Sequence, residues 1–100
     1  RAAFLDDLQA PEPIDAEGQS RAVIWREETD LPQSTAAVLE AYRAQGAGRL
    51  MCSGYMDIKG NVWGGIVMSE TWVDIIYVTS AEDGAASTMR IVRLPAESAG

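Results

Sequence analysis

The chain has 100 residues, of which 47% are hydrophobic and 23% charged, with a net charge of −7. These values describe one globular domain rather than a disordered chain. The acidic balance disfavours a phosphate backbone as partner. No apolar run approaches the ~20 residues of a membrane-spanning helix, so neither nucleic acid nor membrane is an expected partner.

The domain divides into an N-terminal portion over 1–20, a core over 21–94 and a loose tail over 95–100. Residues 2–8 suit a short helix carrying Phe4, Leu5 and Leu8 on one side. Pro11, Pro13, Gly18 and three acids make the following stretch an exposed connection. Eight of the fifteen acids fall within the first thirty residues. That skew serves solubility, or a surface for a basic partner.

A first strand is predicted over 21–26, around Val23, Ile24 and Trp25. Asp30-Leu31-Pro32-Gln33 opens a helix. Asp30 and Gln33 have capping-box spacing, and Pro32 loses nothing in the first turn. The helix should run over 31–45 and stop at Gly46. Leu31, Val38, Leu39 and Tyr42 form its apolar stripe.

From Arg49 onward the pattern is that of strands. Runs over 49–58, 62–68, 71–79 and 87–94 are separated by Gly60-Asn61, Ser69-Glu70 and Ala81–Gly84. The expected class is α+β, with strand and helix order β-α-β-β-β-β. An antiparallel sheet of four to five strands carries the main helix on one face.

Two-residue turns at Gly60-Asn61 and Ser69-Glu70 would place Ile58 opposite Trp63, Met56 opposite Gly65 and Gly65 opposite Asp74. One face then holds Cys52, Met56, Trp63, Gly65, Trp72 and Asp74. The other holds Val62, Gly64, Ile66, Val73, Ile75 and Tyr77. Both are apolar, whereas an antiparallel sheet commonly wets one face. The main helix covers one face; the N-terminal helix, with three apolar residues, covers only part of the other, so the rest needs a partner chain or a ligand.

Trp63, Gly65, Trp72, Asp74 and Met56 are therefore the expected ligand-binding residues. Asp74 is the weak catalytic candidate, because a carboxylate in an apolar pocket can serve in proton transfer. Its structural alternative is an ion pair with Arg90 or Arg93. Cys52, the single cysteine, is expected to be a buried inert thiol, and it fits a reducing cytoplasm. With no histidine there is no Ser-His relay and no histidine-based metal site. No phosphate-cradling glycine loop is present, and no cofactor or metal is expected.

The function expected from these features is that of a small acidic binding module. It would form a homodimer and hold a small apolar molecule or a protein partner on the sheet. Two alternatives stand beside it. One is a cofactor-independent isomerase, cyclase or hydrolase using Asp74, with Tyr55 or Tyr77 as hydrogen-bond donor. The other is an acidic inhibitor or immunity-type protein.

Overall fold

The computed structural model describes residues 21–46 and 48–96. The expected N-terminal helix and the end of the tail lie outside them. Five strands and one helix follow the order β1 (Arg21–Glu27), α1 (Leu31–Gln45), β2 (Arg49–Tyr55), β3 (Val62–Met68), β4 (Trp72–Ser80) and β5 (Ser87–Pro95). All strand pairs are antiparallel, and the sheet order is β1-β5-β4-β3-β2. This is an α+β architecture with the helix packed on one face, as expected.

Local chemistry accounts for the ends of α1. The Asp30 carboxylate accepts the Gln33 N–H at 2.9 Å, occupying a first-turn amide that has no partner within the helix. Gly46 closes the helix at φ 68°, a left-handed conformation that costs glycine little. Its N–H donates to the Tyr42 and Arg43 carbonyls.

The helix carries the chain from one sheet edge to the other, so β1 and β2 become the two edges. It packs over β4 and β5. Leu31, Val38, Ala41 and Tyr42 meet Trp63, Val67, Trp72, Ile76, Val78, Met89 and Ile91 in a single core. At its first turn Ser34 Oγ lies 2.5 Å from Ser87 Oγ and 2.7 Å from Thr29 Oγ1. Ser87 also donates to the Thr29 carbonyl at 2.9 Å, which satisfies a buried hydroxyl group.

The first hairpin departs from expectation. Strand β2 ends at Tyr55 rather than Ile58. The Asp57 carboxylate accepts the backbone N–H groups of Asn61 and Val62, at 2.9 and 3.0 Å. This side chain diverts backbone donors from strand pairing and holds a longer loop. Tyr55 therefore faces Trp63, and Ser53 faces Gly65, with a bulge between Leu50 and Cys52. From Cys52 to Tyr55 the slip is an odd number of residues, so those β2 side chains change face, while Arg49 and Leu50, before the bulge, keep theirs.

The second turn also moves, but by an even step. Ser69 N–H donates to the Trp72 carbonyl at 2.9 Å, which puts Glu70-Thr71 at the turn centre. Asp74 then faces Val67 rather than Gly65, and Gly65 faces Ile76. The faces of β3 and β4 keep their expected composition.

Ile76 is fully buried beneath the helix. Replacing it with Ala should cost about 2–5 kcal/mol through lost transfer energy and a residual cavity. A shift in the urea midpoint with an unchanged slope would register that loss.

Candidate functional site

The expected site residues divide between the two faces. Trp63, Gly65, Trp72 and Asp74 lie on the helix-covered side. Trp63 and Trp72 belong to the core, and Asp74 has 0% exposure. The space expected at Gly65 is filled by Trp63. A Cβ on Gly65 would sit 2.8 Å from that indole ring. Met56 lies on the opposite side, over Gly64, where an added Cβ would meet its sulfur at 2.6 Å. The odd slip of the β2–β3 register is the reason for that separation.

Asp74 sits at the centre of a closed polar cluster. Arg93, its cross-strand partner on β5, donates from Nε to Oδ1 at 2.5 Å and from Nη2 to Oδ2 at 2.6 Å. The Tyr42 hydroxyl donates to Oδ2 from above. The Arg93 guanidinium stacks on Trp72, 3.7 Å from the ring centroid. Such a fork supplies two parallel charge-assisted bonds, and the indole face favours the cation. Three donors occupy the carboxylate while the helix covers it. The arrangement joins α1, β4 and β5, and it aims no free carboxylate oxygen at an open surface.

Burial, reinforced by the Asp74 carboxylate and the hydrogen bond to it, pushes the Tyr42 phenol far above its ordinary value. The Arg93 charge opposes that rise without cancelling it. Arg90, the other candidate partner for Asp74, projects on the opposite face, because it lies an odd number of residues from Arg93.

The face opposite the helix, which no described residue covers, carries Ile66, Ile75 and Val92 in one cross-strand row. Met68, Val73 and Leu94 form the next. A third row runs Gly54, Gly64, Tyr77, Arg90 and Ile24 from β2 to β1. The adjacent glycines at its β2 end leave a shallow trough, over whose Gly64 side the Met56 side chain lies. A groove of about 350 Å³ follows it, lined in part by Cys52, Met56, Ile66, Ile75 and Tyr77. Past Tyr77 a second depression is bordered by Ile24, Thr79, Thr88 and Arg90. Alternation from Val62 and from Val73 signals most of this face in the sequence.

Cys52 is exposed, contrary to the expected buried thiol. The helix lies over β4 and β5, and β2 is two strands away from β4. Every residue of β2 is exposed in consequence. Among the described residues, no three His, Cys, Asp or Glu side chains gather to hold a metal ion. No helix among them is long and apolar enough to cross a membrane.

Two outcomes follow from the Asp74 cluster. Asp74→Ala should cost about 3–5 kcal/mol, because it leaves the Arg93 charge buried and unpaired. Adding Arg93→Met should recover part of that loss in a double-mutant cycle. The second outcome concerns alkaline pH. The unfolded Tyr42 phenol releases its proton near pH 10, and the folded one retains it. The contribution of Tyr42 to stability is complete below that pH and declines as pH rises above it. Tyr42→Phe should therefore flatten the alkaline fall in denaturation midpoint.

Comparison of the chain with protein-family models, with curated proteins and with solved structures finds no match, so function rests on the chemistry of the two faces alone.

Proposed function

We propose that the protein is a non-catalytic binding module. It is a homodimer whose uncovered sheet face holds an apolar molecule or an apolar segment of a partner. The observation that carries this reading is the uncovered face itself. Five strands at about 4.8 Å spacing and seven residues at about 3.3 Å give roughly 550 Å² in plan. Its apolar rows, interrupted by Thr79, Thr88 and Arg90, make up a large part of that area, and contiguous apolar patches of a few hundred Å² mark interaction sites.

The face also has the relief of a binding surface. Gly54 and Gly64 lie side by side and open a trough between Met56 and Tyr77. Apolar contact lines its floor through Ile66 and Ile75, while the Tyr77 hydroxyl and Arg90 offer orienting polar groups. Small-molecule sites share this composition, with mostly apolar walls and few polar groups. Asp74, closed off by Arg93 and Tyr42, serves the fold in this reading rather than proton transfer.

Sedimentation at micromolar concentration should give twice the 10.8 kDa chain mass. The dye 1-anilinonaphthalene-8-sulfonate should brighten on the folded protein. Gly64→Leu fills the trough at the expense of the flexible Met56 side chain, and it should reduce that brightening several-fold without changing the circular dichroism. A monomer that leaves the dye dark would remove this reading.

A further inference from the structure

We infer that two copies join through their β2 edges, in antiparallel register about a twofold axis at Gly54, to make one continuous ten-stranded sheet. This rests on the homodimer proposed above and is independent of its ligand.

The backbone of β2 is set up for such a pairing. Met56 N–H donates to the Val62 carbonyl at 2.7 Å. Antiparallel alternation then turns Gly54 and Cys52 toward β3 as well. Ser53 and Tyr55 turn their N–H and C=O groups to the outer edge, where no described strand pairs with them. An unpaired edge is a template for another strand, and proteins commonly blunt it with charge or proline. The opposite edge, β1, carries Arg26 and Glu27. In β2 the only charge is Arg49, which lies beyond the bulge at Leu50–Cys52. The pairing segment Cys52–Tyr55 is uncharged, so no like charges face one another within it.

A second copy fits this edge better than an arbitrary strand for three reasons. A twofold axis makes the pairing self-complementary and closed. With the axis at Gly54, Ser53 of each copy exchanges both backbone bonds with Tyr55 of the other. The two Gly54 residues then form the close, non-hydrogen-bonded pair, at about 4.5 Å between Cα atoms. The site is open there, since a Cβ on Gly54 would meet nothing within 4 Å.

The same register accounts for exposed apolar residues around the edge. Antiparallel copies bring the β2–β3 loop of one beside the start of β2 in the other. Fully exposed Ile58 then gains Leu50 and Met51 as neighbours. Cys52 of each copy comes opposite Met56 of the other on the uncovered face. The glycine trough continues across the seam, and each groove acquires lining from both copies.

Engineered cross-linking tests this register. In the full chain, Cys52→Ser removes the native thiol, and adding Gly54→Cys places two new thiols across the axis. Their separation lies within disulfide range. Under mild oxidation the double variant should form a covalent dimer on the order of a thousandfold faster than chance encounter, as an effective millimolar concentration against micromolar protein requires. Wild-type Cys52, facing Met56 of the other copy, should not cross-link at that rate. In the unmodified chain the Ser53 and Tyr55 amides should exchange hydrogen several-fold more slowly at high than at low protein concentration. A chain that sediments as a dimer, yet shows neither rapid cross-linking nor concentration-dependent protection, overturns the edge pairing and leaves the homodimer standing. A monomer at high concentration overturns both.

Discussion

A carboxylate with no exposed surface requires donors on every side, and Asp74 obtains them from one strand and one helix. Arg93 grips both oxygens from β5, and Tyr42 closes over Oδ2 from α1. Breaking this pair leaves a charge stranded under the helix, which makes each member depend on the others. The helix is consequently held at a set position above β4 and β5. The Ser34, Ser87 and Thr29 hydroxyl cluster holds its other end. Apolar contact drives the burial, and the two polar clusters select where along the sheet it occurs.

That placement has consequences at a distance. A single helix centred over β4 and β5 leaves β2 uncovered on both sides. The opposite face of the sheet receives no described cover at all. Its hydrophobic content is too continuous to be incidental, since Ile66, Ile75 and Val92 lie side by side across neighbouring strands. Apolar side chains thus occupy both faces of the sheet, and one carboxylate–guanidinium pair lies inside the helix-covered core.

Several features were legible from residue order because their causes are local. Asp30, Pro32 and Gly46 act within one turn, so the helix ends could be placed without knowing what the helix packs against. Two apolar faces could also be assigned across β3 and β4, because an even slip at Ser69–Trp72 preserves side-chain direction. The β2–β3 hairpin was not legible. Gly60-Asn61 looks like a two-residue turn, but Asp57 captures the amides of Asn61 and Val62. That one side chain moved Met56 away from Trp63 and Asp74 and brought Cys52 and Gly54 to the uncovered face.

The sequence by itself determined where the described helix and strands lie, apart from the end of β2, and that apolar side chains occupy both sides of the sheet. Hydrogen-bonding range, capping and the two-residue period of a strand are enough for that. Only the tertiary structure decided which face the helix takes. It thereby decided that Asp74 is a buried partner of Arg93 and that Cys52 is exposed. Those outcomes depend on Tyr42 reaching a strand thirty-two positions later in the chain, and no local period encodes such a contact.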